Sequence, residues 1–285
     1  MRFYPGCTEC LISRVEYESR LCIDDPARVA EIVGACRDLL QRIAAEPLPA
    51  PVIASRVHRL AYRLIGNDDP YRLLKRENNM EAMAVCRGVR DDLVTFRDLA
   101  LASVIANTLD YGSVEHTVTE NFVKFFCDEF AAGLTVDNTE AMEALRSRVV
   151  YLADNCGEIV FDALFADRLK KTGSHVTFAV RGAPILNDAT LEDALALGLD
   201  RRVDLLTPTT DGIAELGLNR DLVPPALAEA LDRATLVIAK GMANYESLSD
   251  DRDLPPVAYL MSVKCGPIGA DIGIPVGSRV ALLRD

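Results

Sequence analysis

The chain has 285 residues and a net charge of −12 at pH 7. Apolar residues make up 49% of the sequence, which is enough for a sizeable core and argues against disorder. The acidic balance argues against a nucleic-acid surface, because phosphate backbones need a basic patch. No signal-like or membrane-spanning apolar segment is recognisable, so we expect a cytoplasmic protein with no membrane partner.

Helical periodicity dominates the first half of the chain. Between Cys10 and about Leu145, apolar residues recur every three or four positions, as in ARVAEIVGACRDLLQRIA. Pro26 follows two aspartates, an arrangement that suits the first turn of a helix. We therefore predict an all-helical N-terminal domain over residues 1–145.

The sequence contains 8 cysteines, too few for a disulfide scaffold in a chain of this length. Small buried thiols explain most of them. The exception is the pair Cys7-x-x-Cys10. A zinc site would need two more ligands, and no second CxxC occurs. The pair also lacks the strand–helix context of a redox motif, so we favour a helix start and keep a metal or redox role as the alternative.

The apolar pattern changes after Arg148. Short β-branched apolar segments predict strands at 149–153, 175–180, 202–207, 235–240 and 257–263, with a last one at 279–283. Helical segments lie between these strands. Near-continuous apolar strands that alternate with helices indicate a parallel sheet covered on both faces. We therefore predict an α/β/α layered domain with a mostly parallel sheet over residues 146–285.

Polar side chains follow several of the predicted strands. In an open parallel sheet, ligands bind beyond the carboxyl ends of the strands. The polar residues at these ends are Asp154, Asn155, Arg181, Asn187, Asp188, Lys240, Asn244, Glu246 and Lys264. Because they follow different strands at the same edge, we predict that they form one site.

The chemistry of this set favours a hard metal ion. Asp154, Asn155 and Asp188 offer oxygen donors without accompanying histidine or cysteine pairs, which suits Mg²⁺ or Mn²⁺, with Ni²⁺ or Co²⁺ as alternatives. Gly157 allows close backbone approach, and the helix start behind it offers N–H donors to an anion. The basic residues available to neutralise a phosphate are Lys240, Arg181 and Lys264. Such a combination fits phosphoryl-transfer chemistry.

Each residue also has an ordinary structural interpretation. Asn155-x-x-Glu158 resembles a capping box, and Asp154 could be a solvated strand end. Asp188 could help to start the next helix, and Lys240 could be a surface lysine. Helix caps need not collect at one sheet edge together with lysines, however, so the joint pattern favours a site that binds an anion and a metal.

Several sequence blocks resemble those of a known family. In the second half these are YLADNCGEIVFD, VRGAPILNDATLEDA, VIAKGMANYESL and SVKCGPIGADIGIPVGSRV. In the first half they are CTECL, DPYRLLKRENN and ANTLDYG. Together they closely resemble the signature blocks of the damage-control phosphatases, which are metal-dependent enzymes. The resemblance spans nearly the whole chain.

The resemblance implies a helical domain and an α/β/α domain with the site in the cleft between them. It implies a metal held by Asp154, Asn155 and Asp188, and a phosphate contact from Lys240. The catalytic residues would then be Asp154, Lys240 and Glu158. The substrate-binding residues would be Asn107, Asp110, Asn187 and Asn244, to which the strand-end argument adds Arg181 and Lys264.

The implied reaction is hydrolysis of a small phosphomonoester, such as a sugar phosphate or a damaged metabolite phosphate. We expect the metal to polarise the phosphoryl group and activate water, while Lys240 offsets charge on the equatorial oxygens. A phosphoenzyme formed on Asp154 is the alternative. We favour water, because metal coordination would weaken that carboxylate as a nucleophile.

Two other functions remain open at this point. An S-adenosylmethionine-dependent carboxyl methyltransferase could use a similar sheet, but the glycine-rich cofactor turn after the first strand is missing. A non-catalytic module that binds a metal or a metabolite could use Cys7 and Cys10 as a structural or regulatory clip. Turnover of a phosphate ester would distinguish a phosphatase from both of these alternatives.

Overall fold

The N-terminal part of the chain is helical. The computed structural model describes residues 1–108 and 122–285. Its helices before the sheet are α1 (Thr8–Arg20), α2 (Pro26–Ile43), α3 (Ala50–Ile65), α4 (Arg72–Val89), α5 (Phe96–Asn107) and α6 (Phe122–Ala132). Pro26 lies in the first turn of α2, and Asp25 caps that helix by accepting the Ala27 N–H at 3.0 Å. The predicted helical region is confirmed.

The cysteines are all free thiols, and only Cys36, Cys86 and Cys156 are buried. The expectation that most of them are buried is therefore wrong. Cys7 directly precedes α1 and Cys10 lies in its first turn, so the pair does mark a helix start. Because an amphipathic helix also places residues on its exposed face, helical spacing alone did not reveal which thiols reach solvent.

Seven strands form a single sheet. They are β1 (Val136–Asp137), β2 (Arg148–Leu152), β3 (His175–Val180), β4 (Leu205–Pro208), β5 (Leu236–Lys240), β6 (Val257–Ser262) and β7 (Arg279–Arg284). The spatial order is β1-β7-β6-β5-β2-β3-β4. Every neighbouring pair is parallel except β6 and β7, which are antiparallel. The mostly parallel sheet is confirmed.

Helices cover both faces of the sheet. The later helices are α7 (Thr139–Ala144), α8 (Glu158–Lys171), α9 (Leu191–Ala196), α10 (Pro225–Asp232), α11 (Gly241–Leu248) and α12 (Gly266–Ile272). Successive residues of β2 point to opposite faces, as in any strand. Tyr151 packs in the core that contains Phe161 and Phe165 of α8, whereas Leu152 packs with Leu227 of α10 and Leu248 of α11. The α/β/α layering is therefore confirmed.

Three details of the sheet differ from expectation. β4 begins at Leu205 rather than at residue 202, because the N–H groups of Arg202 and Val203 both bond to Leu199 O in a 3-10 turn. β1 was not predicted, since two residues are too short to show a period of two. β7 runs antiparallel to β6, a direction that an apolar pattern cannot specify.

The core extends from the sheet into the N-terminal helices. Residues of α4 and α5, among them Val85 and Leu101, share one hydrophobic cluster with Tyr151 and Phe178 of the sheet. The helices α1, α2 and α3 form a separate cluster of their own. The division into domains at residue 145 stays a prediction. In the described part of the chain, no helix combines the length and apolar character needed to cross a membrane.

Candidate active site

The chain makes a tight turn directly after β2. Gly157 has φ +89°, in the region that favours glycine, and it precedes α8. Its N–H donates to Asn79 Oδ1 at 2.7 Å. The Asn155 N–H donates to Glu158 Oε1 at 3.2 Å, and the Cys156 N–H to Asn187 O at 2.8 Å. These three N–H groups are therefore satisfied within the protein and are not available to an anion.

The segment after β3 folds back onto this turn. The Ala189 N–H donates to Asp154 O at 2.8 Å, and the Arg181 N–H donates to Ala189 O at 2.8 Å. A β-bridge joins Asn155 to Asp188. These backbone contacts bring together Asp154, Asn155 and Asp188, which the sequence places in two separate loops. In the Asn155 side chain, Nδ2 donates to Asp154 Oδ2 at 2.8 Å.

Arg181 joins the two aspartates from inside the protein. Its Nε donates to Asp188 Oδ2 at 2.5 Å, and one terminal nitrogen donates to Asp154 Oδ1 at 3.0 Å. The other terminal nitrogen donates to Gly217 O at 2.7 Å. All three guanidinium nitrogens therefore have protein acceptors, and Arg181 does not line the cavity described below. Its geometry is that of a group that orients carboxylates.

Burial controls the protonation of these carboxyl groups. Burial, reinforced by Asp188 and Glu158, raises the pKa of Asp154 well above its usual range, against the opposing effect of Arg181. The pKa of Asp188 is also raised by burial, and Arg181 opposes that shift. The positive charge of Arg181 therefore offsets only part of the effect of burial on the pKa of these two carboxyl groups.

Lys240 is enclosed next to the site. Its Nζ donates to Ser103 O at 3.0 Å and lies 3.2 Å from Asp162 Oδ1 and 3.6 Å from Glu158 Oε1. Burial opposes a charged amine, but Asp162 and Glu158 outweigh that effect and raise the pKa of Lys240. Burial, partly offset by Lys240, raises the pKa of Asp162 to about 6. Lys240 does not line the cavity either, and its ammonium group contacts neighbouring carboxylates instead.

The helical side contributes Asn107. Its Nδ2 donates to Glu158, and its Oδ1 accepts the Ser262 N–H at 3.1 Å. Asn107 thus connects α5, α8 and β6 at the site. Asp110, also predicted to bind substrate, lies outside the described residues.

Gly241 is a site residue that the sequence argument did not single out. It has φ +73°, and a Cβ at this position would lie 1.9 Å from Asp154 Oδ2. Only glycine lets the backbone after β5 pass so close to that carboxylate. Asn79 was also missed. The available signals were a glycine directly after a strand and an asparagine within DPYRLLKRENN, neither of which specifies a partner.

A cavity of about 490 Å³ opens between the helices and the ends of the strands. The predicted site residues that line it are Asn107, Asp154, Asn155, Asn187, Asp188, Glu246 and Lys264. Arg181, Lys240, Glu158 and Asn244 are not among its lining residues. The helical wall includes Arg14 and His58, and Cys7 and Cys10 lie on it too. The predicted residues therefore separate into a lining group and a supporting group.

The lining group fits a hard divalent cation. Buried carboxylates at the site are Asp154, Asp188, Glu158 and Asp162, whereas the buried cations are Arg181 and Lys240. An added dication would offset this surplus of negative charge. Among the described residues no group of three His, Cys, Asp or Glu side chains is arranged to hold a metal. The predicted set instead combines two carboxylates with an amide, a donor set suited to Mg²⁺ or Mn²⁺.

Asn187 adds a donor for an anion. Its Nδ2 is enclosed and has no hydrogen-bond partner in the described part of the chain, although Asn187 lines the cavity. A buried amide donor without an acceptor is unfavourable by about 1–3 kcal/mol. A substrate oxygen bound beside the two aspartates would satisfy it. Oxygen-bearing side chains and an amide whose donor lacks a partner among the described residues therefore belong to the same cavity wall.

Comparisons with known proteins show which family the chain resembles. The family model described as "Damage-control phosphatase ARMT1-like domain" matches residues 3–280. A relative named "Damage-control phosphatase" from Archaeoglobus fulgidus is 38% identical over 99% of both chains. An uncharacterised protein of Methanocaldococcus jannaschii is 30% identical, over 100% of this chain and 96% of its own.

A third relative, a damage-control phosphatase from Pyrococcus horikoshii, is 28% identical over 94% of this chain and 98% of its own. Among solved structures, a DUF89 family protein from Pyrococcus horikoshii superposes with a TM-score of 0.91 at 24% identity and covers 100% of both chains. At that identity the structural similarity supports the fold alone.

Proposed function

The chain belongs to the ARMT1-like damage-control phosphatase family, and on that premise we propose that it hydrolyses small phosphomonoesters with a bound divalent metal ion. Membership in the family supports a phosphatase function in general terms. The observation that carries the finer proposal is the meeting of Asp154, Asn155 and Asp188 at the wall of one cavity. The proposed substrates are sugar phosphates or damaged metabolite phosphates.

In this proposal Asp154, Asn155 and Asp188 hold Mg²⁺ or Mn²⁺. When bound, the ion would polarise the phosphoryl group and lower the pKa of the attacking water. Arg181 keeps both aspartates in position through its hydrogen bonds to them. It also favours their ionised forms, in which a carboxylate can bind a cation.

Of the remaining residues, some contact the phosphate directly and others act through neighbouring carboxylates. Lys264 lines the cavity and supplies a cation on its wall, while Asn187 supplies an N–H donor. Lys240 offsets the negative charge that develops on the phosphate, and it does so indirectly, through its contacts with Glu158 and Asp162. Asn107 fixes Glu158 from the helical side.

The first test is hydrolysis of p-nitrophenyl phosphate in the presence of Mg²⁺, Mn²⁺, Co²⁺ or Ni²⁺, with chelator as the blank. We expect turnover that requires a divalent ion. Asp188→Asn removes the charge of one proposed ligand at nearly constant volume, and we expect kcat/KM to fall by at least about 100-fold.

The matched control is Asp211→Asn, at an exposed position outside the cavity lining, and it should leave the rate unchanged. Metal-dependent turnover that survives in Asp188→Asn would overturn the proposed ligand set. Absence of turnover with every ion would overturn the proposed reaction.

A further inference from the structure

A buried histidine–glutamate pair forms part of the helical wall of the cavity. His58, on α3, is 1% exposed, and Glu18, on α1, is 0% exposed. Nδ1 of His58 lies 3.0 Å from each carboxylate oxygen of Glu18. Such a contact fixes the orientation of the imidazole ring and leaves Nε2 as the ring nitrogen that does not contact Glu18.

Nε2 is the second ring nitrogen of His58, a residue that lines the cavity. It has no hydrogen-bond partner in residues 1–108 and 122–285. Nε2 is not fully enclosed either, because it is not one of the enclosed side-chain atoms without a partner. Because Nδ1 contacts Glu18, Nε2 is the ring nitrogen left for a ligand in the cavity that His58 lines. An unpaired imidazole nitrogen at a cavity wall is available to a ligand.

The same face of α3 contacts the loop that carries Asp188. Tyr62 lies one helical turn after His58, and its hydroxyl accepts the Leu186 N–H at 2.8 Å. Leu186 has φ +48°, and it is the one non-glycine residue with positive φ in the described part of the chain. A conformation of this kind persists where neighbouring contacts enforce it. The contact joins the helix that carries His58 to the loop that carries Asn187 and Asp188, and all three of these residues line the same cavity.

We propose that His58, oriented by Glu18, donates the proton that the leaving group of the phosphomonoester needs. This inference rests on the proposed phosphatase function and adds a residue to it. As the bond between phosphorus and the leaving oxygen breaks, the Nε2 proton passes to that oxygen and an alcohol departs. Water forms the new bond to phosphorus and leaves one of its protons on the phosphate. Its other proton restores Nε2.

Glu18 acts in this scheme as a positioning residue. It contacts His58 and lies outside the cavity lining. A purely structural interpretation is available, because the pair also connects α1 to α3 in the core of the helical region. A structural pair would affect all substrates equally, whereas a proton donor matters only for leaving groups that need a proton.

The test compares two phosphate esters, of which only one has a leaving group that needs a proton. p-Nitrophenolate leaves without protonation at neutral pH, whereas the alkoxide of glycerol 2-phosphate does not. For His58→Gln we expect kcat/KM to fall about 100-fold or more on glycerol 2-phosphate and less than about 3-fold on p-nitrophenyl phosphate. Glu18→Gln should lower kcat/KM by a smaller factor, again more on glycerol 2-phosphate than on p-nitrophenyl phosphate. The affinity for Mn²⁺ should stay unchanged in both variants.

Ser55→Ala is the structural control. Ser55 is buried on the same helix outside the cavity lining and accepts the Leu216 N–H at 2.8 Å, so any loss should be equal for both esters. An equal loss in His58→Gln, or no loss on glycerol 2-phosphate, would overturn the proposal. If His58→Gln does not fold, the ratio of the two kcat/KM values of Glu18→Gln decides between the two interpretations. Failure of the wild type on both esters would instead contradict the proposed function itself.

Discussion

At the scale of single residues, Gly241 leaves the space that the carboxylate of Asp154, a proposed metal ligand, occupies. A methyl group there would collide with Asp154 Oδ2, and the backbone has φ +73°. Gly212 has the same φ, but nothing lies within 4 Å of the corresponding Cβ position. Both glycines therefore carry the same backbone requirement, and only Gly241 also leaves room for a carboxylate.

We expect Gly241→Ala to reduce metal-dependent kcat/KM by at least about 100-fold, because Asp154 must move. Gly212→Ala carries only the backbone strain, which amounts to about 1–2 kcal/mol of unfolding free energy, and should keep its activity. Steady-state kinetics and urea unfolding measure the two effects. Equal activity in the two variants would show that the position of Asp154 tolerates the added methyl group.

At the scale of secondary structure elements, the start of α8 depends on α4. The side chain of Asn79 accepts the Gly157 N–H at 2.7 Å and so fixes the turn that carries Asp154 and Asn155. Asn78, the preceding residue of α4, is also buried, but its Nδ2 has no hydrogen-bond partner among the described residues. Of these two neighbouring asparagines, Asn79 therefore holds the turn before α8 through a side-chain hydrogen bond, whereas Asn78 shows no such bond from its Nδ2.

Asn79→Ala should destabilise the protein by about 1–3 kcal/mol, because it leaves a buried N–H without an acceptor. It should also weaken Mn²⁺ binding, since the turn that holds two proposed ligands is released. Asn78→Ala removes the same atoms one position earlier and should leave Mn²⁺ affinity unchanged. Calorimetric titration with Mn²⁺ compares them, and equal affinities in both variants would contradict this coupling between α4 and the site.

At the scale of the whole molecule, buried carboxyl groups make stability depend on pH. Burial, against a smaller opposing effect of the N-terminal amine, raises the pKa of Glu246 from 4.5 to about 7. The folded state therefore binds a proton that the unfolded state releases between these values. Stability falls as pH rises through that window, since the unfolded state binds fewer protons there.

We expect the metal-free protein to lose unfolding free energy between about pH 4.5 and 7, on the order of 3 kcal/mol from Glu246 alone. Glu246→Gln cannot ionise and should flatten this part of the profile. Urea unfolding at several pH values, with chelator present, gives the comparison. A profile that keeps its full slope in Glu246→Gln would assign the dependence to other groups, such as Asp162, whose pKa is also raised.

The sequence predicted much of this molecule from local signals. Helical spacing identified the N-terminal helices, and alternation of apolar strands with helices identified the layered sheet. The strand-end rule selected Asp154, Asn155 and Asp188, which the backbone does bring together. These predictions hold because periodicity and topology constrain the path of the main chain.

The directions of the side chains were settled only by the tertiary structure. Arg181 and Lys240 were expected to face a phosphate, yet both donate to carboxylates or backbone carbonyls inside the protein. The pairing of Glu18 with His58 and of Asn79 with Gly157 has no local signature, since the partners are far apart in the chain. A buried polar group must find a partner wherever the fold supplies one. The sequence by itself therefore determined the layers and the strand ends that form the site, while long-range packing decided which polar groups face the cavity and which support it from within.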